Sequence, residues 1–112
     1  MTVTAKALIQ AKYAADSATT EYTTPANTRT IIDKFTATNT DSSARTLSVH
    51  IVASGGTASA SNLITSALSI AIGASVDVPE MKNQILNAGD FISVLASVAT
   101  KVVIRGSGRE VT

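Results

Sequence analysis

Residues 29–56, RTIIDKFTATNTDSSARTLSVHIVASGG, decide the fold. Apolar and polar residues alternate on both sides of a polar centre, and a period of two is typical of a β-strand with one buried face. Before the centre, one face holds Ile31, Asp33, Phe35 and Ala37, and the other holds Thr30, Ile32, Lys34, Thr36 and Thr38. After it, one face holds Leu47, Val49 and Ile51, and the other holds Ser48, His50 and Val52. Residues 39–44 between them are rich in Asn, Asp and Ser, which form tight turns. The stretch therefore predicts two antiparallel strands joined by a short polar loop.

Length and composition limit what the chain can be. Its 112 residues suit one domain that buries roughly 65% of its unfolded surface. It has no Cys, which excludes disulfides and thiolate metal sites. Nine basic and eight acidic residues leave a net charge of +1, so charge gives no reason to expect nucleic acid as a partner.

The surface of the chain is expected to be poor in charge. Ala, Thr and Ser make up 47 of the 112 residues and only 15% are charged, below the usual quarter. Two interpretations stay open: much of the surface faces other protein, or the chain is a Thr-rich β-domain with few charges. No stretch approaches the ~20 apolar residues that span a bilayer, and residues 1–6 lack the pattern of a secretory signal, so we expect no membrane partner.

The residues before the central stretch predict an arm and a short strand. Residues 1–14 are an N-terminal arm or first strand, although their Ala, Leu, Lys and Gln also favour helix. Residues 16–26 contain a second short strand with Tyr22 pointing inward, and Pro25 ends it.

The residues after the central stretch predict further short strands. Residues 53–62, with two glycines and small polar side chains, form a flexible loop. Residues 63–72 resume the alternation with Leu68, Ile70 and Ile72 on one face, and residues 75–78 place Val76 and Val78 inward. Residues 81–86 predict a short helical turn or compact loop in which Leu86 closes one end of the core.

The last third predicts two more strands. In residues 91–97, Ile92, Val94 and Ala96 face the core, while Phe91 and Leu95 lie on the reverse face. Residues 101–106 form the last core strand, with Val102 and Ile104 inward, and residues 108–112 form an edge or a tail. The total is seven or eight strands about ten residues apart, which indicates an all-β, single antiparallel sandwich or barrel with residues 15–112 as its body.

No residue pattern indicates catalysis or metal binding. His50 is the only histidine, and it falls on the outward phase, so we expect it to be solvated or in an interface. Asp33 shares the phase of Phe35, so we expect a partly buried ion pair with Arg29 or Lys34 at the rim. The other acidic residues are scattered; only Asp77 and Glu80, across Pro79, suggest even a weak oxygen-ligand site. The sequence predicts a protein that is not an enzyme and has no cofactor.

Four residues are candidates for an interface with another protein. Phe91 and Leu95 fall on the outward phase of a predicted strand, and Ile32 and His50 fall on the outward phases of the two central strands. Apolar side chains on an outward face favour contact with a partner.

Several segments resemble short bacteriophage virion proteins. They are YTTPANTRTIIDKFTATNT (22–40), HIVASGG (50–56), SIAIGASVDVPE (69–80), LNAGDFISVLAS (86–97) and VVIRGSGREV (102–111). The resemblance lies in their order and spacing, covers residues 21–112 and leaves out the first twenty. It implies a small β-sandwich, often of jelly-roll type, built into a phage particle.

The resemblance implies a role by contact alone. The expected function is that of a capsid decoration or cement protein, a dimer or trimer that binds the major capsid protein or another virion protein across subunit joints. The alternative is a tail, collar or head–tail junction protein, with receptor or glycan binding. For both functions we expect the protein to be made in the host cytoplasm and to be located in the virion. No nucleic acid is expected as a partner.

Overall fold

The computed structural model describes residues 1–112 as nine β-strands and two three-residue 3-10 turns. The strands are β1 (Val3–Tyr13), β2 (Thr19–Thr23), β3 (Arg29–Asn39), β4 (Arg45–Val52), β5 (Leu63–Ile70), β6 (Ser75–Asp77), β7 (Ile85–Leu86), β8 (Phe91–Ala96) and β9 (Val102–Val111). The 3-10 turns are Ala60–Asn62 and Pro79–Met81.

The strands form two antiparallel sheets packed face to face. Sheet A has the order β1-β9-β3-β6, with β7 also paired to β3, and sheet B has the order β2-β8-β4-β5. Apart from β7, this order is that of a jelly roll, in which two Greek keys distribute eight strands over two sheets. The predicted all-β sandwich of jelly-roll type is confirmed. It has nine strands rather than seven or eight, because β7 adds a two-residue pairing where a helical turn was predicted.

The core lies between the sheets. It is a cluster of 18 buried apolar residues drawn from both inner faces. Strands β4, β8 and β9 contribute the residues that their alternation predicted: Leu47, Val49, Ile92, Val94, Ala96, Val102 and Ile104. Leu86 is fully buried, and Tyr22 packs inward, as predicted. Burial of each such aliphatic side chain stabilises the fold by about 1.5–3 kcal/mol.

Strands β3 and β4 do not form the predicted hairpin. They lie in different sheets, because both edges of β3 are taken, by β9 on one side and by β6 and β7 on the other. The buried Asn39 at the end of β3 holds the crossover: its Nδ2 donates to Ser43 O at 2.9 Å and to Ile70 O at 3.0 Å. Its Oδ1 accepts from Asp41 N at 2.9 Å. The turn chemistry was predicted, but one side-chain amide also ties the turn to β5.

A β-bulge changes the phase of β3. Ile32 is paired with Gly108 and Lys34 with Ser107, which leaves Asp33 as the additional residue. The buried residues are therefore Thr30 and Ile32 before the bulge and Phe35 after it. The prediction that Ile32 belongs to an interface is wrong, since its side chain lies in the core and is 0% exposed.

Strand β9 is longer and more central than predicted. It continues to Val111 and lies between β1 and β3, so residues 108–112 are not a tail. The inward positions Gly106 and Gly108 leave room for Ile9, Phe35 and Leu8 from the flanking strands. Strand β1 uses residues 3–13 as an edge strand of the same sheet.

Residues after β4 differ from expectation in two places. Ile72 lies beyond the end of β5 in a turn and is exposed, whereas it was predicted to share the buried face of Ile70. Residues 53–62 are a folded segment with their own hydrogen bonds: Asn62 Nδ2 donates to Thr57 O at 2.8 Å, and Asn62 Oδ1 accepts from Ser59 N at 3.0 Å.

Candidate binding surface

The two outer faces of the sandwich differ in charge. On sheet A the outward side chains of β3, β6 and β9 include six charged residues: Arg29, Asp33, Lys34, Asp77, Arg105 and Arg109. Sheet B has only two charged residues in its strands, and both are in ion pairs. Glu21 Oε1 lies 2.7 Å from Lys12 Nζ of β1, and Arg45 Nη2 lies 2.5 Å from Asp41 Oδ2. Arg45 shares the inward phase of Leu47, and Glu21 is the additional residue of a bulge in β2. The outward positions of the sheet B strands therefore hold no charged residue.

We call this surface the neutral face. It is formed by outward residues of the four sheet B strands, which the register places side by side: Thr20, Thr23, Phe91, Ser93, Leu95, Ser48, His50, Val52 and Leu63. The inward neighbours along the same strands, such as Ile92 and Val94, lie in the core. Alternation about those core residues is what directs Phe91, Ser93 and Leu95 outward.

The segment of residues 53–62 covers part of the neutral face. His50 Nδ1 lies 3.1 Å from Ser59 O and 3.0 Å from Asn62 Oδ1. Both neighbours are acceptors, so Nδ1 carries a proton and donates to them. His50 is only 6% exposed as a result, and Ser93 and Val52 are also buried. The expectation of a solvated or interface His50 is wrong, because a folded loop lies over it.

A hollow remains on the neutral face beside this segment. It has a volume of about 420 Å³ and lies between the segment and β2. Its lining is Ala18, Thr20, Gly56, Thr57, Ala58, Phe91 and Ser93, none of which is charged. The half-buried Phe91 offers the only aromatic ring in it. The lining offers small side chains, hydroxyl groups and one aromatic ring.

The four predicted interface residues are only partly brought together. Phe91 and Leu95 lie on the neutral face, each half-buried and four residues apart on β8. His50 lies on the same face beneath the covering segment, and Ile32 lies in the core.

Sequence reasoning missed the extent of this surface, although a signal was present. Residues 46–76 contain no Asp, Glu, Lys or Arg, and neither do residues 91–100. These two runs supply β5, β8, the covering segment and all of β4 except Arg45. A charge-free run of that length is unusual, given that about a quarter of residues are normally charged.

The ion pair predicted for Asp33 forms with a different partner. Arg109, opposite the bulge on β9, donates to both carboxylate oxygens, with Nε–Oδ2 3.1 Å and Nη2–Oδ1 2.9 Å. Lys34 instead lies 3.8 Å from Asp77, where both side chains are well exposed. The bulge turns Asp33 toward β9, which the alternation alone did not predict.

A buried polar cluster joins the two sheets at one end. Tyr22 of β2 donates to Glu110 Oε2 of β9 at 2.5 Å, and its Oη lies 2.7 Å from Thr30 Oγ1 of β3. Lys6 Nζ lies 3.2 Å from the same Oε2. Burial, followed by the bond to Glu110, raises the pKa of Tyr22 to about 12. The Tyr22 hydroxyl, and then Lys6, lower the pKa of Glu110 below its ordinary value. The cluster works as a fixed link between sheets.

The remaining chemistry of the surface is limited. No three His, Cys, Asp or Glu side chains converge to hold a metal ion. The two helical turns are three residues each, so no helix has the length or apolar character to cross a membrane.

Searches of family models, curated proteins and solved structures find no match to this chain.

Proposed function

We propose that the protein is a non-enzymatic structural protein of a bacteriophage particle, most specifically a capsid decoration or cement protein. It binds the assembled shell through the neutral face of sheet B. The observation that supports this most is the separation of charge, with one outer face free of charged side chains and the other rich in them.

A neutral face suits a surface that is buried against protein. Moving an unpaired charge out of water is costly, and small polar or apolar groups avoid that cost. The hollow over Phe91 gives such a contact a place for one partner side chain. The charged outer face of sheet A remains in solvent and keeps the assembled particle soluble.

Stabilisation of a shell follows from linkage. A protein that binds the assembled shell, and not its separated subunits, shifts the equilibrium toward the shell. The partner in this proposal is the major capsid protein or another virion protein at a joint between subunits. A dimer or trimer presents two or three neutral faces, and such multivalent docking strengthens binding without new kinds of contact.

A second candidate is a tail, collar or head–tail junction protein that binds a receptor or glycan. Tyr13 favours it, because this tyrosine on β1 is 50% exposed and aromatic rings stack on sugars. Tyr22 does not, since its ring is buried and its hydroxyl is bonded. With no Trp in the chain, we rank this candidate second.

The test is to delete the coding sequence from the parent phage and to purify the particles. We expect deletion particles to release DNA at a lower temperature than wild-type particles, and purified protein added back should restore the difference. Quantitative mass spectrometry of wild-type particles should find the protein in hundreds of copies. About a dozen copies would favour the tail or collar candidate, and deletion particles with full heat resistance would refute the decoration role.

A further inference from the structure

Four polar side chains form a compact block on the outer face of sheet A. Lys34 is paired with Ser107, and Thr36 is paired with Arg105, on the adjacent central strands β3 and β9. The hollow between them has a volume of about 270 Å³ and no other lining residue. Two cationic groups and two hydroxyl groups therefore line the hollow, and the carboxylate of Asp77, which is paired with Thr36 on β6, lies beside it.

The β-bulge at Asp33 creates this block. Without the additional residue, Lys34 would share the inward phase of Thr30 and Ile32. The bulge moves it to the outer face, in line with Thr36. Bulges are frequent next to functional sites, where they redirect a side chain.

The nearby acids leave the two cations largely free. Asp33 accepts three hydrogen bonds from Arg109, so its charge is already compensated. Asp77 lies 3.8 Å from Lys34, with side-chain exposures of 67% and 64%, so the contact is screened by water. Arg105 Nη1 makes one long hydrogen bond of 3.4 Å, to the neutral Gln10.

We propose that Lys34, Thr36, Arg105 and Ser107 bind a tetrahedral oxyanion, the phosphate or sulfate group of a ligand. A guanidinium and an ammonium group supply charge-assisted donors, and Arg binds such groups through two parallel N–H bonds. The two hydroxyls supply further donors. Central strands hold all four residues on a rigid base. The site lies on the face opposite the neutral face and does not depend on the proposed function.

The test is an NMR titration of the full-length protein with sodium phosphate, sodium sulfate and sodium chloride at constant ionic strength. We expect phosphate or sulfate to shift the amide signals of residues 34–36 and 105–107 in a saturable way, with a Kd in the millimolar range. Chloride should not. Phosphate and sulfate titrations together show which group the site prefers.

The Kd values of two variants test whether these residues form the site. Arg105→Gln should weaken binding at least about tenfold, because a charge-assisted hydrogen bond is lost. Lys101→Gln removes the same charge from an exposed turn and should leave the Kd unchanged. Shifts that match chloride, that scatter over the surface, or that persist in Arg105→Gln would overturn the site, whatever the particle experiments show.

Discussion

At the scale of single residues, two glycines set how closely β1 and β3 approach β9. A Cβ on Gly108 would press against the Ile31 carbonyl oxygen and lie 2.8 Å from Leu8 Cδ1. A Cβ on Gly106 would lie 3.5 Å or more from Ile9 and Phe35, which is ordinary contact. Two glycines of one strand therefore differ in what they tolerate.

Gly108→Ala should lower the free energy of unfolding by about 3 kcal/mol, since the backbone of β3 must move to admit the methyl group. Gly106→Ala is the matched control and should change it by less than about 1 kcal/mol. Urea denaturation of both variants measures the difference. Equal effects would show that the close approach of β3 to Gly108 is not a constraint.

A second residue-scale prediction concerns Tyr22 and the pH dependence of stability. In the folded state the pKa of Glu110 lies below its ordinary value of 4.5. The contribution of this carboxylate to stability is therefore present above pH 4.5 and is lost as the pH falls below it. Tyr22 has the opposite sign. Its pKa is raised from 10.0 to about 12, so its contribution is full below pH 10 and is lost as pH rises toward 12.

Tyr22→Phe should cost about 1–3 kcal/mol at neutral pH, because Glu110 and Thr30 lose a buried partner. The loss of stability at acid pH and at alkaline pH should also be smaller in this variant than in the wild-type protein. Thermal unfolding measured from pH 3 to 11 checks this. Tyr13→Phe, on an exposed side chain, should keep the wild-type profile; an unchanged profile in Tyr22→Phe would contradict the role of the cluster.

At the scale of elements, the crossover between β3 and β4 depends on Asn39. Asn39→Ala removes the donors to Ser43 O and Ile70 O and the acceptor of Asp41 N. We expect a loss of about 2–3 kcal/mol, because the buried Ile70 carbonyl is left without its partner. Ser43→Ala, which keeps the backbone carbonyl, should be near neutral. Chemical denaturation compares them, and a neutral Asn39→Ala would show that backbone pairing alone fixes the crossover.

The elements also show what the sequence could predict. The alternation in β4, β8 and β9 placed Leu47, Val94 and Ile104 correctly in the core, because regular strands keep a period of two. It failed for Ile32, since the bulge at Asp33 is set by pairing with β9 and leaves no mark on the period of β3 itself.

The sequence could not predict which sheet each strand joins, and it could not predict that His50 is buried. The turn at residues 39–44 has the same chemistry whether its strands pair or separate, so it could not show that β3 and β4 belong to different sheets. His50 is buried by ten residues that follow β4, and their Gly, Ser and Ala content predicted mobility, not a fold. Of the surface now proposed, Phe91 and Leu95 were found from the phase of β8.

At the scale of the whole molecule, the jelly roll separates a neutral face from a charged one. Each sheet takes strands from both halves of the chain, so the charge-free residues 46–76 and 91–100 come together in sheet B. The topology thereby turns two runs of the sequence into one continuous surface. A protein built in this way can bury one face and keep the other in water.

The most direct measurement is binding to purified deletion particles by two matched variants. Leu95→Lys puts a charge on the neutral face, and Val103→Lys puts one on the outer face of sheet A; both sites are half-buried on interior strands. With both variants shown to be folded by circular dichroism, co-sedimentation should show at least about a tenfold weaker affinity for Leu95→Lys, the effect of burying an uncompensated charge. Val103→Lys should bind like the wild-type protein. Equal binding by the two variants, or loss of binding only in Val103→Lys, would contradict docking through the neutral face.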